Sequence, residues 1–224
     1  KIGVIKNIDS LGINKDVMQS YETSKSVLTG LGHKLKEVDF SELSSGICSY
    51  YVIAPAECSS NLSRFDGVKY GYRASNQKDI SNLYMETRSE GFGDEVKKRI
   101  LIGTHVLSAG FYDAYYLQAQ KVRRMIKNKF ESIFKDVDLI FMPTTLDQAF
   151  EKNRKDSDPN RMYKEDLLTI PANLAGLPAI SFPNGFKNSL PVGGQFVGNY
   201  FSEDLLLATT HKIQEVTDWH KMTP

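Results

Sequence analysis

Apolar and polar positions fall into alternating blocks along the first forty residues. Ile2-Gly3-Val4-Ile5 is a short apolar run of the kind a buried strand makes. Val17, Tyr21 and Leu28 then recur on one face of a helix, which Gly30-Leu31-Gly32 brings to an end. Residues 33–40 read as a second strand, and a unit of about thirty residues suits a right-handed parallel crossover. Residues 48–64 are alanine- and serine-rich with small residues close together, which predicts a helix with Pro55 in its first turn or at a kink. A turn at Asp66-Gly67, an irregular segment over residues 63–76 and a short helix over 79–89 follow.

The strongest helical pattern spans residues 94–134. Leu107, Phe111, Tyr115, Val122, Ile126, Phe130 and Ile133 recur at helical spacing and predict one buried stripe. A break near Gly110 is expected, because glycine weakens a helix interior by about 1 kcal/mol. Residues 137–142, closed by Pro143, have the continuous apolar character of a strand covered on both faces, and function often sits just beyond such a strand end. Residues 147–161 are polar and read as a loop, and 165–175 as a helix ended by Gly176. Residues 179–182 and 191–197 read as strands about a turn running from Asn184-Gly185 to Ser189, and 203–216 as a closing helix. The prediction is an α/β fold in which the strands at Ile2, Val137 and Ala179 share one mixed β-sheet covered by helices on both faces.

Charge narrows the function. The 224 residues carry 28 Lys+Arg against 27 Asp+Glu, which removes the electrostatic case for a general nucleic-acid or membrane-surface binder. Composition is ordinary for a globular protein at 41% hydrophobic and 25% charged. No apolar run approaches the ~20 residues of a membrane span, and the opening residues are too short and polar for a signal-peptide core. Cys48 and Cys58 make neither a disulfide framework nor a paired metal spacing, which fits a reducing compartment. The chain opens on Lys1 inside a strand-like run and reads as a piece of something longer.

Generic catalytic motifs are missing. Val96 follows Gly91-Phe92-Gly93 where a dinucleotide fingerprint needs glycine, and no phosphate loop occurs. His33, His105, His211 and His220 lie far apart in sequence, and Ser59-Ser60 has no base beside it. His105 and Ser108 admit a nucleophile-and-base reading against the default of an ordinary helix histidine. Most of the helical cations, Arg123-Arg124 among them, read as solvated faces. Arg99 precedes Ile100-Leu101-Ile102, so it is either one more solvated charge or a guanidinium at the edge of a buried face, able to clamp a carboxylate with two parallel hydrogen bonds. Asp166, ahead of Leu167-Leu168, is either an acid at a helix N-terminus or an anionic acceptor.

The order of segments carries more. Tyr50-Tyr51-Val52-Ile53-Ala54, Ala56-Glu57-Cys58-Ser59-Ser60-Asn61-Leu62, Phe65-Asp66-Gly67-Val68-Lys69-Tyr70-Gly71, Gly91-Phe92-Gly93-Asp94-Glu95-Val96-Lys97-Lys98-Arg99-Ile100, Leu107-Ser108-Ala109-Gly110-Phe111-Tyr112-Asp113-Ala114-Tyr115-Tyr116, Pro143-Thr144-Thr145 and Asp166-Leu167-Leu168-Thr169-Ile170-Pro171-Ala172-Asn173-Leu174-Ala175-Gly176-Leu177-Pro178 resemble the amidase signature family. The likeness is to its branch of A subunits of tRNA-dependent amidotransferases, and to the C-terminal half only of a single amidase domain. It implies a glutamine-hydrolysing subunit of the complex that converts Glu-tRNA(Gln) to Gln-tRNA(Gln), with a Ser-Ser-Lys triad upstream of Lys1 and no catalytic residue here. By the same resemblance Arg99 would hold the glutamine α-carboxylate, Asp166 its α-ammonium, and Tyr50 would stand near the substrate, with Tyr51 as the alternative match. The partners implied are glutamine, two further subunits of a heterotrimer, and tRNA mainly through a partner subunit. No metal or cofactor is implied in this chain; ATP and Mg belong at a partner subunit, and the setting is a bacterial cytoplasm or organellar matrix. Another amidase-signature hydrolase and a non-catalytic docking fragment are the competing readings. Gly194 departs from the family's Leu in Pro-Val-Gly-Leu-Gln, and Cys58 stands where Ala is common.

Overall fold

A computed structural model describes residues 1–41, 43–75, 78–152 and 164–224. The chain divides into two compact units, one of Lys1–Ile47 with Arg123–Pro224 and one of Cys48–Val122.

The first unit holds a five-stranded mixed sheet in the order β2 (Leu35–Val38), β1 (Ile2–Ile5), β3 (Leu139–Pro143), β5 (Leu190–Gly198), β4 (Ala179–Lys187). Strand β1 (Ile2–Ile5) is followed by helix α1 (Lys15–Gly30) and strand β2 (Leu35–Val38), which pairs parallel with β1. Asn14 caps α1 by accepting a hydrogen bond from the Asp16 amide, and Gly32 turns the chain beyond its end at φ 88°. Val17, Ser20, Tyr21, Ser24 and Leu28 form the buried face of α1, as its periodicity predicts. Burial pushes the Tyr21 hydroxyl above its ordinary pKa, and its ring stacks on Phe141 with centroids 5.1 Å apart.

Strand β3 (Leu139–Pro143) is buried along its whole length, and pairs parallel with β1 and antiparallel with β5. Phe141 and Phe182 both contact Phe196 at 5.1 Å, which ties β3, β4 and β5 into one aromatic cluster. The hairpin of β4 (Ala179–Lys187) and β5 (Leu190–Gly198) is longer than predicted. Asn184-Gly185 lies within β4, where the register shifts between Pro183 and Phe186. The turn itself is Asn188-Ser189, both at positive φ (51° and 61°), the conformation a two-residue hairpin turn needs.

In the second unit, helix α2 (Leu43–Leu62, begun in the first unit) starts earlier than predicted and carries Pro55 in its interior. Helix α3 (Ile80–Gly91) is capped by Asp79, and α4 (Asp94–Val106) ends ahead of Gly110, which takes φ 87°. A single π-helical turn (Tyr112–Tyr116) leads into α5 (Leu117–Ile133), which belongs to the first unit from Arg123 onward. The break falls where glycine predicts it, but the stripe is not continuous. Ile126, Phe130 and Ile133 are buried, whereas Leu107, Phe111 and Tyr115 are exposed. A left-handed glycine followed by a π turn resets the helical phase, so positions before and after it do not share a face.

In the first unit, helix α6 is short (Ile170–Ala175), and α7 (Glu203–Val216) follows the hairpin as predicted. The helix predicted over 165–175 is corrected in its continuity: Glu165 is helical, residues 166–169 form a turn, and α6 starts at Ile170, with Pro171 having no N–H to give Leu167. Gly176, at φ 71°, ends α6. Of the loop predicted over 147–161, residues 147–152 have no helix or strand and 153–161 lie outside the described residues.

Candidate functional site

Arg99 and Tyr50 come together in the second unit because α4 lies unusually close to α2. A Cβ on Gly103 would stand 1.9 Å from the Pro55 carbonyl oxygen, so only glycine permits this approach. The hydroxyls of Ser59 and Thr104 hydrogen-bond at 2.9 Å just beyond the contact. One turn before Gly103, Arg99 Nε donates to Glu95 Oε1 at 3.0 Å, with Tyr50 on α2 as its second hydrogen-bonding neighbour. The Glu95 carboxylate, and after it Tyr50, hold the guanidinium above its ordinary pKa, so it remains a cation throughout the working range. The ring of Tyr51 meets Tyr50 edge-on, with centroids 5.2 Å apart. The expected buried edge beside Arg99 is corrected: Leu101 is 71% exposed and Ile102 39%, and the buried positions of α4 are Gly103 and Val106. Arg99 itself is one-third exposed, which keeps its head accessible.

Asp166 lies in the first unit, in the turn that opens α6. Its main-chain carbonyl accepts from the Ile170 amide at 3.0 Å and the Thr169 hydroxyl at 3.2 Å, so its backbone starts the helix. Leu167 and Leu168 anchor the turn in the core at 6% and 1% exposure, and the Asp166 side chain is half-buried. The far end of α6 is held by two side chains: Arg123 Nε donates to the Leu174 carbonyl at 2.8 Å and the Tyr200 hydroxyl to the Ala175 carbonyl at 2.7 Å. Sequence reasoning leaves Arg123 on a solvated face; nothing in the spacing of α5 marks a cation that caps another helix.

Other candidates lose their chemistry. Ser108 Oγ donates to the His105 carbonyl rather than to its ring, and that ring packs on Phe111 at 4.2 Å, so the pair is a local helix-end arrangement. Among the described residues no group of three or more His, Cys, Asp or Glu is placed to hold a metal ion. No described helix is long and apolar enough to cross a membrane.

Comparison with known proteins identifies the family. The family model described as Amidase matches residues 1–207, a span that runs through both units. Over 223 residues the chain is 56% identical to the glutamyl-tRNA(Gln) amidotransferase A subunit of Hahella chejuensis, covering 100% of this chain and 46% of that protein. It is 51% identical over 224 residues to the protein of the same name from Coxiella burnetii, with the same coverage of each. The chain thus spans about half the length of the curated relatives it matches. Among solved structures, the glutamyl-tRNA(Gln) amidotransferase A subunit of Thermotoga maritima superposes with a TM-score of 0.73 at 36% identity, over 100% of this chain and 44% of that one. A 6-aminohexanoate cyclic dimer hydrolase shares the fold at a TM-score of 0.71 and 18% identity, over 100% of this chain and 46% of that one. With the family match running through the sheet, the Arg99 helix and the Asp166 turn, the chain belongs to the amidase family.

Proposed function

We propose that this chain is the C-terminal part of the glutamine-hydrolysing subunit of a tRNA-dependent amidotransferase, supplying ammonia for conversion of Glu-tRNA(Gln) to Gln-tRNA(Gln). The observation that carries the reading is similarity along the whole chain, 56% and 51%, to subunits of that name. A hydrolase of a different amide shares only the fold, at 18% identity. Both units then belong to one amidase domain, whose nucleophilic serine and its partners lie in the half of the relatives that this chain does not match.

The chemistry assigned to this chain is recognition of an amino acid's two charged ends. Arg99 presents a planar cation suited to the glutamine α-carboxylate, and the Glu95 contact on its Nε holds the head in one orientation. Asp166 supplies an acceptor-only anion for the α-ammonium. Tyr50, beside Arg99, lies against the substrate. The reacting side-chain amide is thereby left to the serine nucleophile, and binding the non-reacting end fixes the near-attack geometry. The near-cancelling charge, 28 against 27, suits a subunit that leaves tRNA mainly to its partners. The assembly is a cytoplasmic or organellar-matrix heterotrimer, with ATP and Mg bound at a partner subunit.

Ammonia release from glutamine tests the reading. The intact subunit in its complex should release ammonia, and the 224-residue chain alone should release none above a heat-treated control. Activity in the isolated chain, or none in the complex, would refute the assignment.

A further inference from the structure

We infer that Gln195 is a positioning residue for Asp166, tying the turn that carries this carboxylate to the end of the central strand; the inference rests on the reading of Asp166 as the ammonium acceptor. Gln195 lies on β5 at 3% exposure, followed by the fully buried Phe196 and Val197. An apolar side chain is the ordinary occupant of such a place, because a buried primary amide is costly unless its polar atoms are paired. Here its nitrogen is paired twice, with main-chain carbonyls from two separate segments. Nε2 donates to the Leu168 carbonyl at 2.9 Å and to the Pro143 carbonyl at 3.3 Å.

Those two acceptors give the contact its meaning. Leu168 is two residues beyond Asp166, in a turn with neither the ladder of a strand nor the repeating bonds of a long helix. Pro143 ends β3, the all-buried strand, whose register with β5 sets Met142 opposite Gln195 and Pro143 opposite Gly194. Next to it the Thr144 amide donates to the Gly193 carbonyl at 2.9 Å, so β5 also fixes the chain as it leaves β3. A single buried amide therefore ties the Asp166 turn to the end of the buried central strand. A turn released from that tie keeps its apolar anchors but not the direction in which Asp166 points, and a misplacement of about 1 Å is enough to cost ~10²-fold in a well-oriented site.

The test is a double-mutant cycle in the intact complex, with glutamine-driven and ammonium-driven transamidation measured side by side. Gln195→Met fills the same volume without a donor. It should raise KM for glutamine about tenfold and leave kcat and ammonium-driven activity within about twofold. Asp166→Asn alone should weaken glutamine use by roughly 10²-fold. In the Asp166→Asn background, adding Gln195→Met should cost less than about twofold, since there is no carboxylate left to aim. If Gln195→Met reduces the yield of complex, Gln195→Asn serves instead. It keeps the amide but withdraws it by about 1.5 Å, and the same pattern of KM shift and non-additivity is expected. Additive effects, or equal losses of glutamine and ammonium use, would overturn the positioning role in favour of a general packing one. An unchanged glutamine KM in Gln195→Met, with Asp166→Asn impaired, would overturn it while leaving the ammonium acceptor in place. If Asp166→Asn itself leaves glutamine use intact, the reading of Asp166 falls and the positioning role falls with it.

Discussion

Replacing Gly103 with alanine should damage the second unit even though alanine is the better helix former. The added Cβ would lie 1.9 Å from the Pro55 carbonyl oxygen, 2.5 Å from its carbon and 2.8 Å from Ser59 Cβ. Ordinary contact begins at 3.4 Å, so α2 and α4 must open by about 1.5 Å, and the atom in the way is main chain that cannot rotate aside. Such an opening takes the 2.9 Å bond between Ser59 and Thr104 out of range. Overpacking costs about 1–3 kcal/mol and the lost hydrogen bond about 0.5–1.5 kcal/mol, while the helix-propensity gain returns about 1 kcal/mol. The expected net loss is about 2 kcal/mol, read by equilibrium urea unfolding of the intact subunit. Gly30, the last residue of α1, is the control: a Cβ there meets nothing within 4 Å, so Gly30→Ala should be neutral or stabilising by up to about 1 kcal/mol. A Gly103→Ala protein as stable as the wild type would refute the close-approach argument, and so would equal losses from both substitutions.

Two more outcomes follow from contacts in the first unit. A Cβ at Gly194 would stand 3.0 Å from Asn184 Cγ, so Gly194→Leu should lower stability by about 1–3 kcal/mol. Asn184→Ala in the same protein should recover part of it, and strictly additive losses in urea would show that the two positions do not compete. Tyr200→Phe removes the 2.7 Å bond to the Ala175 carbonyl at the end of α6 and should cost about 0.5–1.5 kcal/mol. Faster amide exchange should be confined to residues 170–177, and a change spread over the whole sheet would contradict the local role.

The strands, the turn-breaking glycines and α7 are legible in the sequence because each depends on local pattern: a continuous apolar run for β3, a left-handed glycine for the break at Gly110, a clean amphipathic period for residues 203–216. Errors arise where a local signal is read across a discontinuity. The Leu107–Phe111–Tyr115 stripe does not survive a π turn that resets the phase, and the helix read over 165–175 is interrupted by a turn at 166–169 ahead of Ile170 and Pro171. Asn184-Gly185 has the composition of a hairpin turn but serves as an irregularity inside β4, because the strand pairs again at Phe186 and Lys187. Arg99, Asp166 and Tyr50 are singled out by resemblance together with charge type, not by spacing alone. Gln195 and Arg123 escape a sequence reading because their partners are main-chain carbonyls 27 and 51 residues away, which no periodicity encodes.

Transamidation by the intact complex carrying Arg99→Ala or Asp166→Ala, driven in parallel by glutamine and by an ammonium salt, tests the assignment most directly. A charged hydrogen bond contributes about 1.5–3 kcal/mol, and truncating one partner of a buried charge pair costs roughly 2–5 kcal/mol. Each substitution should therefore lower kcat/KM for glutamine by roughly 10²- to 10³-fold. Ammonia has neither an α-carboxylate nor an α-ammonium, so ammonium-driven activity should stay near the wild-type level. Unchanged use of glutamine, or equal loss of both activities with soluble complex lost, would contradict the claim that these residues hold the two ends of the amino acid.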